Sequence, residues 1–257
     1  MSDRSIGRNV HIYDARDPET ILGGLIVTDG MTNTNFYSMV DIVFIFTTSY
    51  TLRLKSRTTI KRNDHPLREG SYFIVTAGSF AINSEPWLIR TDSLPTPPPT
   101  PEVYNAIRNR DGGCVIIWTG GYWGGFRVTH IFPLSHEEYW ATHGYGHSIS
   151  NQPVSIDSPQ NGILLKSDIQ AHFENYVDNY KIVFFQDHVD DYGIAGTHLP
   201  NLETLLADPQ RPLDQLLRWH YRQAVLANVR RQGVPFLDCE FPPDPHFPAE
   251  DMGSRAN

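Results

Sequence analysis

Residues 155–176 read SIDSPQNGILLKSDIQAHFENY, and their reading decides the fold of the C-terminal half of the chain. Upstream lies FRVTHIFPL, residues 126–134, and downstream lies DNYKIVFFQ, residues 178–186, followed by GIAGTHL. Within the central stretch, Asn161–Gly162 is a turn-forming pair by its own chemistry. His130, in the upstream fragment, has two readings. It either bonds a backbone carbonyl or serves as an acid–base group, because imidazole titrates near pH ~6.5. Gln170 and His172 stand two residues apart. On a helix that is a rotation of about 200°, so the two point to nearly opposite sides. Residues 112–185 hold only Arg127, Lys166 and Lys181 as Lys or Arg, against Glu137, Glu138, Asp157, Asp168, Glu174 and Asp178. Such a surface repels a phosphate backbone.

Farther out, the composition narrows the classes. Apolar residues make up 40% and charged residues 19% of 257, which is the balance of a folded chain with a sizeable core rather than a disordered one. Lys and Arg number 21 against 29 Asp and Glu, a formal charge of −8, so any phosphate-binding surface has to be local. Cys114 and Cys239 lie far apart and in no C-x-x-C pair, which leaves zinc-ribbon and disulfide-scaffold readings unsupported. The start, MSDRSIGRNV, has no apolar secretion signal, and the most apolar run, Met39 to Phe46, is too short to span a bilayer. A cytoplasmic protein without a membrane partner is the expectation.

The chain divides by pattern into four expected segments: a β-rich module over 1–93, a proline-rich spacer over 94–101, a module over 102–235 and a flexible tail over 236–257. NVHIYD, GGLIVT, YTLRLK, SYFIVT and PWLIR have the β-branched and aromatic content of strands, punctuated by Gly, Asn-Asp and Pro. Residues 35–47, NFYSMVDIVFIFT, suit a helix capped by Asn33 or Thr34 and packed on the sheet, although Ile42–Phe46 also suits a buried strand. LPTPPPTP favours a stiff extended spacer, with a docking motif as the less economical reading. EVYNAIRNR, residues 102–110, predicts a short helix stopped by Gly112–Gly113. LDQLLRWHYRQAVLANVRR, residues 213–231, predicts a long amphipathic helix with Leu213, Leu216, Leu217, Tyr221, Ala224, Val225 and Asn228 on one face. Arg218, Arg222, Arg230 and Arg231 project elsewhere and read as a solvated face. The fold class expected is α+β.

The three motif fragments together, with 209–228 and the opening NVHIYDARDPETILGGLIVTDG, resemble the fungal HNH-endonuclease-domain proteins. That family carries a histidine before I-x-P on a β-hairpin, then N-G-[IL]-L-L, then a helix starting D-I-H. The resemblance implies a ββα hairpin-helix unit clamped around one divalent metal. It places His130 as general base and Asn161 as the residue orienting its ring. The helical histidine of the family falls on Gln170, an uncharged amide in place of an imidazole donor. An acidic position three residues before the hairpin histidine falls on Arg127. The expectation is therefore a degraded site with no metal and no cofactor. His143 and His147 have helical metal-ligand spacing, but Gly144 and Gly146 disfavour a helix there. Cys114 reads as core.

Three functions follow. The first is an HNH-like fold repurposed as a metal-independent enzyme on a small-molecule substrate, a cyclase or isomerase of fungal secondary metabolism. Its acid or base is His130, with Arg127 stabilising an enolate or carboxylate, and Trp118, Tyr122, Trp123, Gln170 and His172 shaping the substrate site. The second is a divalent-metal-dependent DNA endonuclease, the one reading in which nucleic acid is a partner. The third is a non-catalytic binding module.

Overall fold

Alternation decides the first long strand. In residues 10–14, Val10 and Ile12 are fully buried while His11 and Tyr13 are only half-buried, the period-two pattern of a sheet with one covered face. The structure, a computed structural model, describes residues 2–3, 7–86, 98–117, 125–146, 155–171, 176–178, 180–185, 192–230 and 235–236. A short strand β1 (Ser2–Asp3) opens the chain, followed by β2 (Val10–Asp14) and β3 (Asp17–Leu25). Next come α1 (Asn33–Val43), β4 (Phe44–Phe46), β5 (Tyr50–Leu54), β6 (Gly70–Thr76) and β7 (Phe80–Ile82). β3, β2, β6 and β5 form one sheet in that order; β2 and β6 run parallel and the other neighbours antiparallel. β4 and β7 pair separately.

Helix α1 covers the inner face of this sheet with Phe36, Met39, Val40 and Val43, all fully buried. Its cap is Thr32 rather than Asn33 or Thr34. The Asn35 amide donates to the Thr32 hydroxyl at 3.3 Å, and the Thr32 amide donates to the Asn35 side chain at 3.0 Å, which makes a reciprocal capping box. The ambiguous stretch that follows is both things in turn, a helix to Val43 and then a strand.

The second half begins with α2 (Pro101–Asp111), with proline in its first turn and Gly112 at φ 62° ending it. β8 (Phe126–His130) pairs antiparallel with β9 (Gly162–Lys166). Between them lie a 3-10 turn at Leu134–His136, α3 (Glu137–Thr142) and a 3-10 turn at Pro159–Asn161. α4 (Ser167–Ala171) follows β9 directly, giving the hairpin-then-helix order. β10 (Tyr176–Asp178) and β11 (Lys181–Val183) form a hairpin, and α5 (Leu202–Ala207) and α6 (Asp214–Asn228) follow. β12 (Pro235–Phe236) returns to pair with β1, so ordered pairing reaches just into the segment expected to be a tail.

Two apolar cores result. One gathers Ile107, Cys114, Phe132, Leu164 and Phe184; the other gathers Val10, Phe36, Val40, Leu52 and Ile74. α6 belongs to both, with Leu216, Leu217 and Trp219 in the first and Tyr221, Ala224, Val225 and Val229 just past its end in the second. The arginines of α6 and of the residues just past it do not all project freely. Arg222 donates to Glu85 at 2.8 Å, and Arg230 donates to the Asn83 and Glu85 carbonyls at 2.7 and 2.8 Å. The loops of the two halves also meet with no clearance: a Cβ on Gly30 would come 2.4 Å from Gly196 Cα. The architecture is α+β, with a strand-rich N-terminal region and a C-terminal helix. PWLIR lies almost wholly outside the described residues, as do residues 94–97 of the spacer and residues 237–257. No described helix is long and apolar enough to cross a membrane.

Candidate active site

His130 is the last residue of β8, opposite Gly162 at the start of β9, and its side chain is 9% exposed. Its Nε2 lies 3.1 Å from Oδ1 of Asp157. The other oxygen of Asp157 accepts the Thr100 amide, at 3.1 Å, just before α2. Asp157 is 21% exposed, so the pair sits at the edge of the fold rather than deep within it. With a carboxylate as acceptor, Nε2 is the ring nitrogen that carries a proton in this pair. The sequence reading missed Asp157. Its only signal was an acidic residue in the Ser-Ile-Asp-Ser-Pro turn four positions before Asn161, where Asp is also an ordinary turn former.

Asn161 does not hold the histidine ring. It is fully buried, and its side chain is spent on backbone. Oδ1 accepts the Phe132 amide at 2.8 Å, and Nδ2 donates to the Phe132 and Ile156 carbonyls at 3.0 and 2.7 Å. Its main chain closes the same knot: the Asn161 amide donates to Ser158 O at 3.0 Å, and Asn161 O accepts the Ile131 amide at 2.9 Å. The physical reason is topological. The chain leaves β8 at His130 and returns at Asn161, and a primary amide supplies the donors and acceptor that tie the two ends of that excursion. Asn161 thus fixes the residues on either side of the dyad and touches no reacting atom.

Arg127 stands on the wrong face. The ladder from Phe126 to His130 is regular, and residues an odd number apart point to opposite sides of a strand. Arg127 is exposed, and its Nη1 donates to its neighbour's carbonyl, Phe126 O, at 3.2 Å. It therefore does not flank His130 as the resemblance implied. Gln170 is half-buried on α4, and its amide has no hydrogen-bond partner among the described residues. His172, Trp118, Tyr122, Trp123 and His147 lie outside the described residues. Cys114 is buried in the core, as expected.

A second group of residues holds the hairpin, and the sequence reading did not single it out. Arg110 and Asp111, at the end of α2, form an ion pair with side chains 2% and 0% exposed. All five guanidinium N–H donors are used. Nε and Nη2 bind the two Asp111 oxygens at 2.6 and 2.9 Å, Nη1 binds Pro159 O and Gln210 O at 2.7 Å each, and Nη2 also binds Gly162 O at 2.7 Å. Asp111 in turn accepts the Leu164 amide at 2.8 Å. Burial pushes the Asp111 carboxyl up, against the opposing pull of Arg110. The pair occupies main-chain groups of β9 that face away from β8, so the free edge of the hairpin is covered.

At the start of α4, Lys166 donates to Asp168 at 2.9 Å and to the Tyr192 hydroxyl at 2.7 Å, and Tyr192 donates to Asp168 at 2.5 Å. Burial works to raise the Asp168 carboxyl, but the bonds from Tyr192 and Lys166 outweigh it and hold the group at about 2. Asp168 is thus committed to its neighbours.

Two family models match the chain. Residues 7–81 match a domain of unknown function (DUF8573), and residues 114–177 match the HNH endonuclease family. The second match spans the β8–β9–α4 region, which is similar to an HNH endonuclease domain. No curated protein and no solved structure matches the chain. An HNH endonuclease implies a divalent metal, and the described donors do not fit one. Among the described residues no three His, Cys, Asp or Glu side chains gather, and His130 is engaged by Asp157.

Proposed function

We propose that the protein is an acid–base enzyme acting on a small organic molecule without a resident metal ion, with His130 as the proton-transfer group. One observation carries this reading: the 3.1 Å bond from His130 Nε2 to Asp157, on an HNH-type hairpin whose helical donor is Gln170. Asp157 orients the ring and stabilises the imidazolium that forms when His130 takes a proton. Asn161 and Arg110 hold the backbone on both sides of the pair. A single such group moves a proton from one atom of a substrate to another with no change in composition, which is the chemistry of an isomerisation or of a proton-initiated cyclisation.

A second reading is favoured by the description of the family that residues 114–177 match: a metal-dependent DNA endonuclease. One experiment separates the two. The purified protein is assayed for bound metal and for plasmid nicking in Mg²⁺ and Mn²⁺, alongside His130→Ala. The first reading expects no stoichiometric metal and no nicking that depends on His130. Metal-dependent nicking that disappears in His130→Ala hands the protein to the second. For any small-molecule turnover found, His130→Ala is expected to cost about 10²–10⁴-fold in rate. Unchanged turnover refutes a catalytic His130.

A further inference from the structure

The outward face of the four-stranded sheet carries a row of side chains that crosses all four strands. Register sets Ile21 of β3 beside Tyr13 of β2, Tyr13 beside Phe73 of β6, and Phe73 beside Arg53 of β5. The alternating residues Ile12, Tyr72, Ile74 and Leu52 point inward and are at most 1% exposed. The row does not serve that core. Ile21 is 49% exposed, Arg53 is exposed, and Tyr13 and Phe73 are half-buried, with none of the row among the side chains packed on the core. The Tyr13 and Phe73 rings lie within 20° of parallel, centroids 5.2 Å apart. Across three interstrand gaps the row spans roughly 14 Å.

Positive charge collects along one side of this face. β5 runs on into a short hairpin, in which the Leu54 amide donates to Thr58 O at 2.9 Å and the Ile60 amide to Leu52 O at 3.0 Å. Arg53, Lys55, Arg57, Lys61 and Arg68 on and beyond this hairpin are all exposed, and none has an ion-pair partner among the described residues. Arg62 is the exception, paired with Asp41 at 2.6 Å and lying over the Tyr37 ring. The nearby acids are few. Glu69 accepts from Asn9 at 2.8 Å, Asp64 is exposed in the loop, and Asp17 and Glu19 sit on the far strand beyond Ile21. In a chain of formal charge −8, this is a local cationic strip beside a half-buried, stacked aromatic pair.

We propose that this face binds single-stranded nucleic acid, with bases stacking on Tyr13 and Phe73 and phosphates lying along the Arg53–Lys55–Arg57 side. A duplex hides the faces of its bases, whereas a single strand offers them to aromatic side chains in a sequence-tolerant way. The cations supply the counterion-release part of the affinity. The inference goes beyond the reading of His130 and does not depend on it, because these residues lie on the outward face of the sheet that covers the other core and the test reads binding rather than turnover.

The test is fluorescence anisotropy on the full chain with labelled oligo(dT) and oligo(U), a duplex of equal length, and vesicles of phosphatidylcholine with phosphatidylserine, at 50–300 mM salt as about the range where phosphate contacts show. Single strands are expected to bind more tightly than duplex or vesicles. The Tyr13→Ala/Phe73→Ala variant should lose about tenfold or more, and Arg53→Ala/Lys55→Ala should flatten the salt dependence by roughly one to two counterions. Circular dichroism melting checks that each variant is folded. Tyr13→Leu/Phe73→Leu, which keeps apolar area without a π face, should lose affinity as the alanine pair does. No single-strand binding at low salt, duplex or vesicles bound equally well, or affinity untouched by the aromatic changes would each overturn the proposal.

Discussion

Replacing Arg110 by methionine removes the cation paired with a fully buried carboxylate, Asp111. The side chain keeps its approximate length, so packing is disturbed little and the loss is electrostatic. Breaking a buried pair from one side costs ~3–5 kcal/mol, because the remaining charge has neither water nor partner. With a urea m-value near the top of the usual ~1–3 kcal/mol/M range, the midpoint of unfolding should fall by about 1–1.7 M. The double variant Arg110→Met/Asp111→Leu makes the sharper case. An isolated buried ion pair can often be exchanged for apolar residues at no cost. Here the pair also satisfies Leu164 N–H and Gly162 O, and the exchange leaves both without a partner, while Pro159 O keeps only the Gly162 amide. At ~1–3 kcal/mol for each buried group left unmade, the double variant should be no more stable than the single one. Urea melts followed by tryptophan fluorescence measure both. A double variant within about 0.3 M of the parent would refute the argument that the pair is held in place by the main chain it serves.

Asn161→Ala should cost about 3 kcal/mol, since the Phe132 amide and the Phe132 and Ile156 carbonyls lose their partners, and activity should fall together with stability. His130→Ala should instead leave the melting temperature nearly unchanged, and a comparison of the two by calorimetry separates positioning from chemistry. Gln170→His should restore divalent metal binding, read by elemental analysis, if the helix still faces the hairpin as in the HNH family it matches. The Asp168 carboxyl, followed by carbon NMR, should titrate near 2. Because its folded value lies below the ordinary carboxylate value of ~3.9, its stabilising contribution is present above pH ~4 and is lost as pH falls toward 2. Lys166→Met should move that titration back up. Limited proteolysis should yield no stable fragment beginning near residue 100, because such a cut separates the N-terminal sheet from the α6 residues in its core.

Some of the fold is legible because one-dimensional patterns produce it. Val10–Asp14, Tyr50–Leu54 and Gly70–Thr76 alternate, and the apolar spacing of 213–228 marks α6. Pattern does not show what happens when distant segments meet. Arg110 and Asp111 read as an ordinary helix end, and only the return of the chain at Pro159 and Gly162 makes them a clamp. At the candidate site, His130 was legible from its place in the motif. Asp157 was not, since its approach depends on how a thirty-residue excursion closes at Asn161. Arg127 shows the opposite error: strand parity alone separates it from His130, and a resemblance to a metal motif drew it into the site.

The helix α6 also bears on how such a chain is inherited. It lies outside both matched spans, 7–81 and 114–177, yet both cores are built partly from its side chains. A recombination event that moved either span alone into another gene would leave its recipient with an open hydrophobic face. A chimera designed to graft the N-terminal sheet onto a different C-terminal unit has to carry residues 214–229 with it, together with Glu85, their arginine-bound tether. The unit of exchange is therefore discontinuous in sequence, and the halves are expected to travel as a pair wherever this arrangement is found.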